Sequence, residues 1–291
     1  MSTVAGPQTA TMAKARPFLK WAGGKGQLLA HLQPFFPASY RRYIEPFLGG
    51  GAVFFHLQPR EALLGDRNEL LIEVFQVVQR QLDELVAALD RHQPHAADGA
   101  YYYRLRAADP GLMSPVERAA RFIFLNKTCY NGLYRVNRQG RFNVPFGRYK
   151  TPPQVYNAGN LRAAASHLAG ATLRVADFAE TMADAGQGDL VYLDPPYDPL
   201  SATANFTGYT ANSFGQGEQE RLMEAFRAAS GRGAKVILNN SDTEFVRSLY
   251  RDVAITVAPV ITVTPVAGLR RAINSNPAKR GGATELVITN F

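Results

Sequence analysis

The amino-acid sequence predicts an α/β protein with a doubly wound, mostly parallel sheet and one inserted segment. Three observations lead to this prediction. Short apolar strands alternate with amphipathic helices from Arg41 to Asp90 and again from Ala171 to Tyr250, and repeating βα units form parallel sheets with right-handed connections. From about His92 to Asn160 the alternation stops, and aromatic, proline and basic residues become frequent. Several predicted strands also end in polar residues, which is typical of ligand-binding α/β sheets.

The first βα units begin at Arg41. The stretch RRYIEP predicts a strand that ends near Pro46, three glycines follow as a loop, and small and apolar residues then predict a helix. EALLGD predicts a second strand that ends at Asp66, and one long amphipathic helix is expected to run through QRQLDELVAALD. Later strands are predicted in ATLRVADF, DLVYLD, AKVILNNS, VAITVAPVITV and ELVITNF, and helices in FAETMADA, GEQERLMEAFRAAS and EFVRSLY.

The composition is typical of a globular protein, and we expect it in the cytoplasm. Hydrophobic residues make up 46% of the 291 residues, no apolar run approaches the roughly 18–20 residues of a membrane span, and the N-terminal stretch MSTVAGPQTATMAKAR lacks the apolar core of a secretion signal. Cys129 is the only cysteine, and the five histidines are not spaced as metal ligands, so we expect neither a disulfide nor a metal. The formal net charge of +8 favours a polyanionic partner.

Polar residues at the ends of five predicted strands indicate a binding site. In open α/β sheets, ligands bind beyond the carboxyl ends of the strands. Any one of these residues alone is best explained as a helix cap or a loop residue, but five of them on one rim predict a site. They are Glu45-Pro46-Phe47, Asp66, Asp177-Phe178, Asp194-Pro195-Pro196-Tyr197 and Asn239-Asn240.

The three glycines after the first strand allow the backbone to pass close to a ligand, because glycine has no Cβ and can adopt positive φ. The spacing GxGxxG of a dinucleotide fingerprint is absent, yet Asp66 follows the next strand, where an acidic residue binds ribose hydroxyls. A nucleoside without a pyrophosphate would fit this arrangement. The stretch WAGGKGQ is not a phosphate-binding loop of the GxxxxGK[ST] type, since Leu19 and Gly26 stand where that motif needs glycine and Ser or Thr.

The motifs FLKWAGGK, EPFLGGGAVFF, GDRN, ADF and LDPPYDPLSATANFTGYTANSF occur in this order. Together they resemble the Dam-type DNA adenine N6-methyltransferases, the alpha-group amino-methyltransferases of the D12 class. The resemblance runs from about Pro17 to the C-terminus, and it departs slightly at GGG, where alanine or serine is common. It implies a seven-stranded methyltransferase sheet with a mainly helical target-recognition domain. We therefore expect a flexible leader at 1–16, a catalytic domain at 17–68 and 158–291 that binds S-adenosyl-L-methionine, and a DNA-recognition domain at 69–157.

The resemblance also implies roles for individual residues around the cofactor. Trp21 and Lys25 would hold the methionine part of S-adenosyl-L-methionine, Asp66 would bind its ribose, and Asp194 would close the pocket on the methyl side. The residues that would line the pocket are Glu45, Pro46, Phe47, Gly49 and Gly51, and those that would flank the cofactor adenine are Asp177 and Phe178.

The DPPY motif suits methylation of an exocyclic amine, which is a weak nucleophile because its lone pair is delocalised into the ring. The Asp194 carboxylate and the Pro195 carbonyl would accept hydrogen bonds from the amine and direct its lone pair to the sulfonium methyl. Pro195 and Pro196 fix φ at about −65°, so the acceptors are held without further ordering. Tyr197 would stack on an adenine flipped out of the duplex. No general base with a strongly shifted pKa is needed.

The inserted segment is basic and aromatic. From Phe122 through Lys150 it contains no acidic residue, and its six cations alternate with Phe, Tyr and Asn, which suits contact with phosphates and bases. CYNGLYRVN followed by FNVPFGRYK resembles the target-recognition domain of Dam-like enzymes that methylate GATC. The resemblance implies that Tyr130 wedges into the duplex, Asn131 supports the gap, and Arg135 with Leu133 contacts the outer base pair. Contacts to the remaining bases or nearby phosphates are implied for Pro145, Arg148 and Tyr149.

The function expected from the sequence is therefore adenine N6 methylation in double-stranded DNA, in GATC. Three alternatives stay open: a related site such as GATATC, methylation of an RNA base or a protein glutamine, and a DNA-binding relative that has lost catalysis. The insertion argues against the second alternative, and intact Lys25, Asp194 and Tyr197 argue against the third. We further expect a monomer in a bacterial or phage-infected cell, associated with the nucleoid.

Overall fold

A mostly parallel sheet forms the centre of the protein. The computed structural model describes residues 14–23, 25, 28–199, 214–251, 262–269 and 283–291. Within these residues the sheet has seven strands in the order β3-β2-β1-β4-β5-β7-β6. Strands β1 to β5 pair in parallel, and β7 runs antiparallel to both β5 and β6. The bounds are β1 Arg42–Glu45, β2 Ala62–Asp66, β3 Ala171–Val175, β4 Asp189–Leu193, β5 Lys235–Ser241, β6 Thr262–Leu269 and β7 Ala283–Thr289. The predicted mixed α/β fold with a mostly parallel sheet is confirmed.

Helices cover both faces of this sheet. Their bounds are α1 Leu29–Leu32, α2 Ala52–Leu57, α3 Glu69–Arg80, α4 Leu82–His92, α5 Gly99–Ala107, α6 Pro115–Thr128, α7 Ala158–Leu168, α8 Phe178–Thr181, α9 Gln216–Gly231 and α10 Glu244–Arg251. Successive strand side chains point to opposite faces. Tyr43 and Tyr192 therefore pack with α2, α3, α6 and α7, whereas Val191 and Leu238 pack with α8, α9 and α10. Burial on both faces explains why the central strands are continuously apolar.

The long helix predicted after β2 is wrong, because the structure contains two helices there. Gln81 has φ −136° and ψ 43°, which is not helical, and it separates α3 from α4. Helix α3 contacts β2, β3, α6 and α7, while α4 turns Leu85 and Leu89 towards α6 and α7. The break at Gln81 lets both helices bury their apolar residues in the same hydrophobic cluster. Helix α8 is also shorter than predicted and spans only Phe178–Thr181.

The insertion contributes helices to the same hydrophobic cluster as the sheet. Helix α6 begins with a capping box, in which Ser114 and Glu117 bond each other's backbone amides, and it has Pro115 in its first turn. Its buried residues, including Phe124 and Leu125, join the cluster that contains Tyr43 and the buried face of α3. Most of the predicted strand VAITVAPVITV and the stretch 200–213 after the DPPY motif lie outside the described residues.

Ion pairs join the start of β1 to the start of β4. Asp189 is fully buried at the start of β4, and its carboxylate accepts hydrogen bonds from Arg41 at 2.9 Å and from Arg42 at 2.8 Å. The backbone amide of Gly186 donates a further bond at 3.1 Å. Arg42 lies directly opposite Asp189 in the β1–β4 pairing. The buried Asp189 carboxylate accepts three hydrogen bonds and stabilises the pairing of β1 with β4. Without this carboxylate, Arg41 and Arg42 would lose the anion that they share.

We expect Asp189→Ala to lower the free energy of unfolding by about 3 kcal/mol, because a half-buried guanidinium loses its counter-ion. The matched control is Asp184→Ala. Asp184 also pairs with Arg42, but at 3.8 Å and with its side chain 67% exposed, so the loss should stay below about 1 kcal/mol. Urea denaturation with unchanged m values measures both. Equal losses in the two variants would contradict this account of the pairing.

Candidate active site

The carboxyl ends of β1, β2 and β4 place three acidic residues on one rim of the sheet. Glu45 is the last residue of β1, Asp66 is the last residue of β2, and Asp194 follows β4 directly. These strands are neighbours in the order β2-β1-β4. The predicted rim therefore exists for these residues, and Lys25 and Tyr197 join it at Asp194.

Lys25, Asp194, Tyr197 and Glu285 form one polar cluster, in which Lys25 and Glu285 are buried and Asp194 and Tyr197 are partly exposed. The Lys25 ammonium lies 2.8 Å from Asp194 Oδ1 and donates a hydrogen bond of 2.8 Å to the Tyr197 hydroxyl. It also lies 4.6 Å from the centroid of the Tyr197 ring. The Tyr197 hydroxyl donates in turn to Glu285 Oε2 at 2.9 Å. The cluster thus joins the segment before β1, the end of β4 and strand β7.

Burial controls the electrostatics of this cluster. Desolvation raises the pKa of Asp194, while the adjacent Lys25 ammonium opposes that rise and the Glu285 charge adds to it. Desolvation, together with the charges of Asp194 and Glu285, holds the pKa of Tyr197 well above its usual value. Tyr197 is therefore a neutral hydrogen-bond donor at neutral pH, and the Lys25 ammonium favours the ionised form of Asp194.

A second set of hydrogen bonds fixes the backbone of the DPPY motif from the other face of the sheet. Gln219 of α9 donates to the Pro196 carbonyl at 3.0 Å and accepts from Asn240 of β5 at 2.9 Å. Asn240 accepts from the Asp198 amide at 3.2 Å, and Ser241 donates to the Asp198 carbonyl. Both sides of Tyr197 are thereby tied to rigid elements, which preorganises the loop.

The glycine loop lies against Trp21. Gly49 adopts φ +48°, and a Cβ at this position would lie 2.7 Å from the Trp21 ring, so only glycine allows Trp21 to pack there. The Gly49 amide donates to Asp66 Oδ2 at 3.1 Å, and the Asn68 amide donates to Asp66 Oδ1 at 2.9 Å. Burial raises the pKa of Asp66, and these amide bonds oppose the rise.

Glu45 is held inside the same rim. It is 3% exposed, and Tyr43, two residues earlier on the same strand face, donates to its Oε2 at 3.0 Å. Burial raises the pKa of Glu45 well above the usual carboxyl value, and the Tyr43 hydrogen bond opposes it only in part. Pro46 is buried next to it. A carboxyl group of this kind accepts hydrogen bonds from a ligand at little further desolvation cost.

The predicted adenine-flanking residues lie at the other end of the rim. Phe178 is 1% exposed, and its ring stacks on Phe47 with centroids 5.5 Å apart. Asp177 caps α8 and pairs with Arg221 at 2.9 Å, while the Arg221 guanidinium lies 4.9 Å from the Phe178 centroid. Phe178 is thus a core residue supporting Phe47, which is the half-exposed ring of the pair.

The predicted DNA-contacting residues form a separate, mostly exposed surface on the insertion. Residues 134–143 form a turn that we call the basic hairpin, closed by the Val136–Phe142 bridge and by Asn137, which accepts from the Gln139 and Arg141 amides. Arg135 is exposed, and its Nε donates to Asn143 at 2.7 Å. The predicted residues that are exposed are Tyr130, Asn131, Arg135, Pro145 and Arg148, and those that are half-buried are Leu133 and Tyr149.

Local backbone geometry at this surface presents some of these side chains and anchors others. Asn131 adopts φ +55°, a left-handed conformation that asparagine tolerates, and this turns the chain after the 43% exposed Tyr130. Tyr149 is anchored instead, since its hydroxyl donates to the carbonyls of Lys127 and Cys129 at 3.0 and 2.8 Å.

Trp21 connects the insertion with the rim. Its ring stacks with Tyr134 of the basic hairpin at 5.4 Å and with Phe122 of α6 at 6.4 Å. One residue earlier, the backbone of Lys20 exchanges two hydrogen bonds, of 2.8 and 2.7 Å, with the buried side chain of Asn126. The segment that carries Lys25 is therefore seated on α6 as well as on the sheet.

Sequence reasoning missed Glu285, Gln219 and Asn126 as members of this arrangement. Glu285 did carry a signal, because a carboxylate at the head of the apolar run ELVITNF must be buried when that run is a central strand. No comparable signal marks Gln219 or Asn126. Asn239 was predicted on the rim, and the structure places it there fully buried, without a hydrogen-bond partner for its amide among the described residues.

Across the described part of the chain, no group of three or more His, Cys, Asp or Glu residues is placed to hold a metal ion. Within the same residues, none of the helices has the length and apolar character needed to span a bilayer.

Comparison with known proteins identifies the family. The family model of the D12 class N6 adenine-specific DNA methyltransferases matches residues 21–263. The chain is 38% identical over 282 residues to the type II methyltransferase M1.LlaDCHI of Lactococcus lactis subsp. cremoris, covering 95% of each chain. It is 37% identical over 298 residues to the type II methyltransferase M.MjaIII of Methanocaldococcus jannaschii, covering 96% of this chain and 100% of the relative.

A third relative is the DNA adenine methylase of Escherichia coli strain K12, which is 38% identical over 277 residues, covering 95% of each chain. The predicted family and the predicted enzyme class are both confirmed by these matches. The chain belongs to the D12 class of N6 adenine-specific DNA methyltransferases.

Proposed function

We propose that this enzyme transfers a methyl group from S-adenosyl-L-methionine to N6 of an adenine flipped out of duplex DNA, in the sequence GATC. The observation that carries the proposal is the contact of Lys25 with Asp194 and Tyr197 at the carboxyl end of β4. It places a carboxylate, a rigid proline backbone and an aromatic ring beside the glycine loop. The family match to an adenine-specific DNA methyltransferase supports the same chemistry.

The polar and aromatic groups at the rim support S-adenosyl-L-methionine as the cofactor. The cofactor supplies an electrophilic methyl group on a sulfonium when bound. We propose that Asp66, which two backbone amides anchor, accepts hydrogen bonds from the ribose hydroxyls. We propose that Trp21 and Lys25 hold the methionine part, that the pocket wall is formed by Glu45, Pro46, Phe47, Gly49 and Gly51, and that Asp177 and Phe178 lie around the adenine ring, with Phe178 acting through the Phe47 ring stacked on it.

Asp194, Pro195, Pro196 and Tyr197 are proposed to hold the target base. The Asp194 carboxylate and the Pro195 carbonyl would accept hydrogen bonds from the amine, which directs its lone pair along the path of transfer. Flipping the base costs a few kcal/mol, and stacking on Tyr197 would return about 1–3 kcal/mol of that. The hydrogen bonds to the Pro196 carbonyl and around Asp198 keep the motif from moving when the base enters.

The insertion, residues 69–157, is proposed to recognise the DNA. Tyr130 and Asn131 project from an exposed turn, which suits a wedge that fills the space left by the flipped base. Arg135 and Leu133 would contact the outer base pair. Pro145, Arg148 and Tyr149 would contact the remaining bases or phosphates, with Tyr149 fixing the backbone that presents the other two. The stacking of Trp21 on Tyr134 supports a coupling between the position of the basic hairpin and that of the cofactor rim.

Asp194→Asn is expected to lower methyl transfer by at least about 10²–10³-fold, because the amide cannot replace the charged acceptor and leaves Lys25 without its anion. Transfer of labelled methyl groups to a duplex with one GATC site measures the effect. Circular dichroism and DNA binding should stay those of the unaltered protein. Full activity in this variant would remove Asp194 from the mechanism.

Arg135→Ala is expected to relax discrimination at the outer base pair by about 1–3 kcal/mol, since a bidentate contact to guanine is lost. The control is Arg138→Ala, which removes the same charge from the tip of the same hairpin. That variant should weaken binding uniformly across sequences and lower the salt dependence. Methylation rates on duplexes substituted at each position of GATC distinguish the two outcomes. An Arg135 variant with unchanged discrimination counts against the contact.

Digestion of DNA from cells that express the protein tests the function as a whole. We expect the DNA to resist a nuclease that cuts only unmethylated GATC and to become sensitive to one that requires N6-methyladenine in GATC. Methylation confined to GATATC sites would show that GATATC, and not GATC, is the target sequence. Unmethylated DNA in spite of GATC binding by the purified protein would show a relative that has lost catalysis.

A further inference from the structure

Glu285 is a buried carboxylate that neither the fold nor the proposed roles explain. It lies on β7, it is 8% exposed, and the next residue, Leu286, is completely buried. Burying an ionised carboxylate costs several kcal/mol unless it is well compensated. A leucine at this position would satisfy the strand at lower cost. The carboxylate therefore indicates a function at the rim and not a structural role within the sheet.

The partner of Glu285 is the aromatic residue of the DPPY motif. Glu285 Oε2 accepts the hydrogen bond of the Tyr197 hydroxyl at 2.9 Å, while the same hydroxyl accepts from Lys25 at 2.8 Å. A phenol oxygen held between one acceptor and one donor fixes the far end of the ring, and the Cα end is fixed by the backbone bonds around Pro196 and Asp198. These contacts fix the long axis of the ring, and because a phenolic O–H lies in the ring plane, the direction of its bond to Glu285 favours one orientation of that plane.

We propose that Glu285 is a positioning residue for methyl transfer, which orients the Tyr197 ring on which the flipped adenine stacks and holds it against Lys25 and Asp194. This inference rests on the proposed function and adds to it a residue from the strand farthest along the chain. Glu285 does not touch the base. It acts through the Tyr197 hydroxyl, so its effect must disappear when that hydroxyl is removed.

The charge of Glu285 provides an independent consequence. Lys25 pairs with Asp194, and Glu285 bonds the same Tyr197 hydroxyl as Lys25. Asp194 also interacts electrostatically with Glu45, Tyr192 and Tyr197. Glu285 contributes to the raised pKa of Asp194. Protonation removes the negative charge of Asp194 and turns one of its oxygens into a donor, so activity is present above its pKa and is lost as the pH falls through it. Without the Glu285 charge, that loss should occur at lower pH.

The test compares Glu285→Ala, Glu285→Gln, Tyr197→Phe and the double variant Glu285→Ala/Tyr197→Phe on a duplex with one GATC site. We expect Glu285→Ala to lower kcat by about 10- to 100-fold with less change in KM for S-adenosyl-L-methionine. Tyr197→Phe should have a similar effect, and the double variant should be no slower than the slower single variant, because both changes remove the same contact. Glu285→Gln keeps an acceptor oxygen and should recover most of kcat. The acidic limb of its pH–activity profile should move to lower pH.

A fluorescent base reports the orientation directly. With 2-aminopurine in place of the target adenine, stacking on Tyr197 quenches the flipped base, and we expect Glu285→Ala to leave it brighter in the complex. The matched control is Glu220→Gln on the exposed side of α9, which removes a charge without contact to the rim and should leave every readout unchanged. If thermal unfolding shows that the Glu285→Ala variant does not fold, the acidic limb of the pH–activity profile of Glu285→Gln tests the proposal instead.

Three outcomes would overturn the inference: single effects that multiply in the double variant, unchanged quenching in a folded Glu285→Ala protein, or an acidic limb that stays in place in Glu285→Gln. Each leaves the proposed function intact as long as the unaltered protein methylates the duplex. An unaltered protein that transfers no methyl group to this duplex contradicts the proposed function instead, and the two failures are thereby separate.

Discussion

The ion pair between Lys25 and Asp194 is the interaction on which the rest of the site depends. Burial raises the pKa of Asp194, and the Lys25 ammonium at 2.8 Å opposes that rise. That cation comes from a segment that precedes β1 and has no place in the sheet. Pairing therefore fixes where this segment lies, and it seats Trp21, four residues earlier, against the glycine loop. The loop in turn needs Gly49 because the indole leaves no room for a Cβ.

The strand ends were predictable because a chain buried on both faces is apolar and stops being so where it meets a ligand. Glu45, Asp66 and Asp194 were found in this way, and the structure brings them to one rim. The break at Gln81 was not predictable, since α3 and α4 are each amphipathic and their sequences are contiguous. Which face each helix buries depends on α6, about 35 residues later in sequence, and local periodicity contains no information about such a distant partner.

The same limit applies to the polar contacts of the site. Glu285, Gln219 and Lys25 reach Tyr197 and its neighbours from segments distant in sequence, and their meeting depends on the order of the strands. A resemblance assigns roles to the residues within a motif, but contacts from outside the motif appear only in three dimensions. Phe178 shows the complementary case. The resemblance predicts that it lies beside the cofactor adenine, and the fold adds that its ring is buried and stacks on Phe47.

The position of β7 between β5 and β6 has a consequence for both the sheet and the candidate site. Within the described strands, β6 pairs with β7 and has no ladder with β5, although β6 precedes β7 in the chain. Among the strands that the structure describes, β6 is therefore joined to the rest of the sheet only through β7. Strand β7 forms both of these ladders, and it also carries the Glu285 carboxylate that accepts from Tyr197. Displacement of this one strand would therefore separate β6 from the sheet and remove the Glu285 contact together.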